Sequence, residues 1–118
     1  MNNLPNFIPK NIQSVINDFI AEVSKIFGDR IKKIYLYGSY ARGDFRDDSD
    51  IDIMILTDFS NEEIIENRRI IADIAYDIEE KYDFNVWISP VVKNLKHFEK
   101  NIEYSFFYEN VEKDGVVI

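Results

Sequence analysis

The chain contains no cysteine. Disulfides, thiolate metal sites and a cysteine nucleophile are therefore excluded. Its single histidine, His97, excludes a metal site built from several histidines of one chain. Apolar runs are short, far below the roughly 18 residues of a membrane span, and no secretory signal is evident; a cytoplasmic location is the expectation. Positive charge is also scarce: 14 Lys and Arg stand against 22 Asp and Glu, a formal net charge of −8. Direct binding to a nucleic-acid backbone needs a basic surface and is not expected. A nucleotide that brings its own divalent cation is different, because the cation bridges acid to phosphate.

What remains is a chain of 118 residues, 46% of them apolar, enough for one compact domain over 1–118 with a core that needs no staples. Ile12, Val15, Ile16, Phe19, Ile20, Val23, Ile26 and Phe27 recur at three- and four-residue steps and predict one helical face, stopped at Gly28. Ile31 to Tyr37 and Asp50 to Leu56 read as strands. Ser60 and Glu63 form a capping-box pattern before a helix that turns Ile64, Ile71, Ile74, Ala75 and Ile78 inward. Phe84 to Val92 reads as a third strand, short or near an edge because of Pro90. Residues 94–113 read as broken helix, and Gly115 releases a last strand, Val116 to Ile118. The order predicts an α/β fold in which a small mixed sheet packs with helices.

The stretch from Tyr35 to Leu56, YLYGSYARGDFRDDSDIDIMIL, carries the chemistry. Side chains alternate along a strand, so Asp50 and Asp52 share a face, their Cα atoms roughly 7 Å apart at about 3.3 Å per residue. Ionised together they repel, and a hard divalent cation resolves the conflict. Mg²⁺ suits such a pair, since it takes one or two carboxylates and completes its shell with water and phosphate oxygens. Gly38 has no Cβ to keep a phosphate from the backbone. Ser39 adds a hydroxyl and an amide, and a helical turn after it would aim N–H groups at an anion. Two better-known loops fail to match. Counted from Asp48, an EF-hand would need Gly at Ile53 and Glu at Phe59, and no Gly-Lys-Ser/Thr follows Gly38 to make a P-loop.

Gly38-Ser39-Tyr40-Ala41-Arg42-Gly43 followed by Ser49-Asp50-Ile51-Asp52 resembles the signature of DNA polymerase beta-like nucleotidyltransferases, and the short chain is similar to their minimal class. The resemblance implies that fold, a bound nucleoside triphosphate such as ATP with Mg²⁺, and transfer of a nucleoside monophosphate with release of pyrophosphate. By the same resemblance Asp50 and Asp52 are catalytic and hold the metal. Gly38, Ser39, Arg42 and Ser49 form the nucleotide-binding set, with Arg42 touching phosphate or bracing the loop. It further implies a small helical HEPN protein as partner and acceptor, in pairs resembling toxin and antitoxin with the nucleotidyltransferase as the antitoxin; a stand-alone monomer or homo-oligomer is the other arrangement. A non-catalytic nucleotide-binding module and a transferase for small molecules are the competing functions.

The resemblance also raises an expectation that the sequence does not meet. Active members carry a third carboxylate on the next strand, and here Asn85, Trp87 and Ser89 occupy that face, with Trp87 at the expected position. Phe84, Val86 and Ile88 are expected in the core. Asp83 and Asp77 are the nearest substitutes. Trp87 reads as an interior or interface residue, His97 as a surface helix residue, and Arg68-Arg69 as a solvated helix face. Asp44, Arg46, Asp47 and Asp48 read as a solvated loop over the site. Tyr104 to Tyr108, YSFFY, is either core closing the sheet or a docking face.

Overall fold

The structure is a computed structural model and describes residues 4–118. Helix α1 (Lys10–Phe27) leads through one tight turn into strand β1 (Ile31–Tyr37), the single helical turn α2 (Ser39–Arg42) and strand β2 (Ile51–Thr57). Helix α3 (Asn61–Lys81), strand β3 (Ile88–Asn94), helices α4 (Leu95–Asn101) and α5 (Phe106–Asp114) and strand β4 (Val116–Val117) follow. The four strands form one sheet in the order β3-β2-β1-β4. Strand β1 runs antiparallel to β2 and β4, while β2 and β3 are parallel, with α3 as their crossover. The expected mixed α/β architecture is therefore present.

Alternation along the strands divides the core. Ile34, Leu36, Ile51, Ile53 and Ile55 turn to one face, where Val15, Ile16 and Phe19 of α1 and Ile71, Ile74 and Ile78 of α3 cover them. Tyr35, Met54 and Leu56 turn to the other, under Phe98 of α4 and Tyr108 and Val111 of α5. Each fully buried aliphatic contributes roughly 1.5–3 kcal/mol, so both layers matter to stability. Helix α3 begins with the predicted capping box: Ser60 Oγ accepts from the Glu63 N–H, and Glu63 accepts from the Ser60 N–H. Arg30 ties Glu63 and Asp58 together at the end of the sheet remote from Gly38. Among the described residues no helix is long and apolar enough to cross a membrane.

The third strand departs from expectation. It starts at Ile88 rather than Phe84, because the residues before it are used to end α3. Asp83 and Phe84 both adopt positive φ, 59° and 56°, and the Phe84 amide donates back to Glu79 O at 2.8 Å. Phe84 is consequently not core: it is 46% exposed and packs on Tyr76, whereas Val86 and Ile88 are buried as expected. Pro90 sits in β3, an edge strand, where a missing N–H is tolerated. Trp87 is not interior either, being 45% exposed.

Gly115 makes the joint between α5 and β4. A Cβ there would lie 2.3 Å from Val111 O, 3.0 Å from the Tyr35 ring and 3.2 Å from Leu36 O. Those neighbours are mostly backbone, so α5 is seated against β1 with no room for a methyl group. Gly115→Ala is expected to destabilise the protein by roughly 1–3 kcal/mol, as overpacking does. Urea unfolding followed by tyrosine fluorescence measures it; an unchanged midpoint would show that the joint is slack.

Candidate functional site

Strand β1 ends at Tyr37, and Gly38 turns the chain with φ 77° into α2. Ala41 and Arg42 donate their amides to Gly38 O, and Gly43 donates to Ser39 O at 2.8 Å. The first amides of any helical turn lack intrahelical acceptors, so those of Ser39 and Tyr40 open this one. Tyr40 anchors the turn from beneath, buried and stacked on Phe45 at 4.7 Å. The loop returns through Ser49, whose Oγ accepts from the Arg46 N–H at 2.8 Å, and so delivers Asp50 to the mouth of β2.

Asp52 pairs with Tyr37 across β1 and with Ser89 across β3. Its carboxylate leans over β1: a Cβ on Gly38 would lie 2.1 Å from Asp52 Oδ2. A side chain on Gly38 would thus have to displace the Asp52 carboxylate and would also be strained at φ 77°. Burial, then the neighbouring charge of Asp50, raises the Asp52 pKa above the usual carboxylate range, and Arg42 opposes the rise. Tyr37 is pushed up to about 12 by burial and by Asp52, so its hydroxyl stays protonated near neutral pH and can donate. Asp50 and Asp52 form no hydrogen bond or ion pair among the described residues. Arg42 Nε donates to Asp44 Oδ2 at 3.2 Å.

All six residues singled out in the sequence, Gly38, Ser39, Arg42, Ser49, Asp50 and Asp52, line one cleft of about 590 Å³. The opposite wall is not signalled by these motifs. It consists of Tyr37 and, from α5, Phe107, Asn110, Val111 and Asp114. Their i, i+3, i+4, i+7 spacing was available as a signal of one helical face, but nothing local tied that face to the Gly-Ser turn. The tie is the β1–β4 register: Leu36 pairs with Val116, which brings Asp114 level with Gly38. The substitutes proposed for the third acid are not in the cleft. Asp77 is exposed on α3 and Asp83 lies in the left-handed turn after it. Trp87 and Ser89, level with Asp50 and Asp52, add no acid on the β3 side. The YSFFY segment is divided: Tyr108 is core, Phe107 lines the cleft, and Tyr104 and Phe106 are 81% and 87% exposed.

The nucleotidyltransferase domain model matches residues 16–118. The chain belongs to the nucleotidyltransferase family. Two proteins of Methanocaldococcus jannaschii, provisionally named protein adenylyltransferases MJ0604 and MJ0141, are 36% and 35% identical to it. The alignments cover 92% and 91% of this chain and 98% of each relative. The crystal structure of a provisionally named nucleotidyltransferase from Sulfolobus solfataricus superposes with a TM-score of 0.52 at 21% identity, over 93% of this chain and 86% of that one. That likeness is one of fold.

Among the described residues no three acidic or histidine side chains stand together to hold an ion. A carboxylate pair of this kind needs oxygen ligands from elsewhere, which is the manner of Mg²⁺ with phosphates. The raised Asp52 pKa means that ionised Asp52 weakens the metal-free fold, a penalty absent below the unfolded-state pKa of about 3.9 and fully present once pH rises through the folded pKa. Asp52→Asn in EDTA is therefore expected to raise the melting temperature at pH 7, with the gain shrinking toward pH 4. Thermal melts across that range check it; a lower melting temperature at pH 7 would contradict the assignment.

Proposed function

We propose that this nucleotidyltransferase moves the adenylyl group of ATP, with Mg²⁺ as its cation, onto a hydroxyl of a protein acceptor. The observation that carries the reading is the pair of partnerless carboxylates, Asp50 and Asp52, facing the Gly38–Ser39 turn in one cleft. The names of relatives identical at about a third of positions over nearly the whole chain support adenylyl transfer to protein. Asp50 and Asp52 would hold the ion, which when bound supplies Lewis-acid neutralisation of phosphate charge. Ser39 and the Gly38 backbone receive phosphate oxygens. Ser49 and Arg42 close that end, and Arg42 offsets the charge of Asp52. The acceptor oxygen bonds to the α-phosphorus, the α–β anhydride bond breaks, and pyrophosphate leaves. The acceptor proton passes to a carboxylate. Asp114 is the acid of the cleft outside the β2 pair, and it makes no ion pair among the described residues.

The acceptor on this reading is a small helical protein of the HEPN kind. Tyr104 and Phe106, nearly fully exposed beside a residue of the cleft wall, supply apolar anchors for it. The acidic surface suits a partner with a basic, RNA-binding face. The non-catalytic alternative draws on the absence of an acid at Trp87 and Ser89 on β3.

Incubation of the chain and its co-expressed helical neighbour with α-labelled ATP and Mg²⁺ tests the proposal. Label is expected on the partner, and both labelling and Mg²⁺-dependent ATP binding are expected to vanish in Asp50→Asn and Asp52→Asn. Asp114→Asn should keep ATP binding and lose a factor of roughly 10²–10⁴ in rate, the usual share of a general base. Labelling that survives both β2 substitutions would remove the proposal. Tight ATP binding with no transfer to any protein would leave the binding module in its place.

A further inference from the structure

The two walls of the cleft differ in chemistry. One is polar and charged: Ser39, Arg42, Ser49, Asp50 and Asp52. The other is mostly apolar, Tyr37 and Phe107 with Val111 behind, and carries two polar side chains, the amide of Asn110 and, level with Gly38, the carboxylate of Asp114. A triphosphate and its cation account for the first wall and the acceptor proton for Asp114, which leaves Tyr37, Phe107 and Asn110 without an occupant.

Phe107 is at an odd position for a large apolar side chain. The adjacent Tyr108 is 5% exposed in the core, while Phe107 is 41% exposed and turned to the cleft. Its ring is nonetheless held, edge to face on Tyr37 at 5.6 Å and against Tyr108 at 5.9 Å. One turn on, Asn110 is a weak helix former in mid-helix whose side-chain amide makes no hydrogen bond among the described residues. It therefore serves neither as a cap nor as a tie within the fold. An amide presents one donor and one acceptor side by side, the complement of the adenine N6 and N7 edge. The Gly115 joint fixes the whole wall relative to β1.

We infer that the exposed face of α5 is the nucleobase subsite, in which Phe107 stacks on the base and Asn110 reads its edge as adenine. This rests on the proposed nucleotide site and adds the residues that choose the nucleotide. Stacking on an aromatic side chain accounts for roughly 5- to 150-fold in affinity, and a two-point edge contact for a similar factor between bases.

Calorimetric titration with Mg²⁺ complexes of ATP, GTP, CTP, UTP and tripolyphosphate separates the two ends of the cleft. Wild-type protein is expected to bind Mg-ATP tighter than the other nucleotides, and tighter than Mg-tripolyphosphate. Phe107→Ala should weaken Mg-ATP on the order of 10- to 100-fold and leave Mg-tripolyphosphate unchanged, while Phe107→Tyr keeps most of the affinity. Asn110→Ala should flatten the preference for ATP over GTP. Phe107 and Asn110 are both outside the core, and circular dichroism verifies that the variants fold. Wild-type binding of ATP that neither Phe107→Ala nor Asn110→Ala alters would overturn the inference alone, and a loss confined to acceptor labelling would reassign the wall to the acceptor. Wild-type protein that binds neither ATP nor tripolyphosphate would overturn the nucleotide site and this subsite together.

Discussion

The carboxylate of Asp52 lies where a side chain on Gly38 would have to be, and much of the site follows from that contact. Leaning over β1 takes Asp52 partly out of water and keeps it near Asp50, so the pair is electrostatically uncomfortable in the folded protein. A fold does not retain such a pair for stability. The same lean directs the charge toward the Gly-Ser turn and α5, and away from Ser89 on β3. A backbone turn, a half-buried charge and the orientation of the cleft are thus one geometric fact seen three ways.

Much of this was legible in the sequence, and the reasons are local. Strand β1 has the bounds the sequence predicts because Ile31 to Tyr37 is a β-branched and aromatic run ending at a glycine. The inward set of α3, Ile64, Ile71, Ile74, Ala75 and Ile78, matches its buried set because helical period and capping box agree. The six residues of the Gly-Ser and Asp-x-Asp segments meet because a short loop joins two paired strands. Failures came where composition and conformation disagreed. Phe84 looks like the first residue of a strand, yet Glu79 O captures its amide and a left-handed turn spends it. The α5 wall depends on pairing between residues far apart in sequence, Leu36 with Val116, and no local pattern announces which helix face a distant strand will receive.

The charge balance acquires a different sense beside the structure. A net charge of −8 is unfavourable to any naked anion. Within the cleft the guanidinium of Arg42 is shared with Asp44, and Asp50, Asp52 and Asp114 outnumber it. On the proposed function, such a surface favours phosphate that arrives already neutralised by a cation over free phosphate or polyanionic nucleic acid. Selectivity here works by repulsion as much as by attraction.

The joint at Gly115 has an entropic consequence. Because Gly115 at the end of α5 has no room for a side chain against Tyr35 and Leu36 of β1, that end of the wall has little freedom to lose when something settles on it. The entropic cost of association then falls mainly on the incoming molecule itself. A wall that holds its final shape before any encounter acts as a fixed template and spares a binding molecule the cost of ordering it.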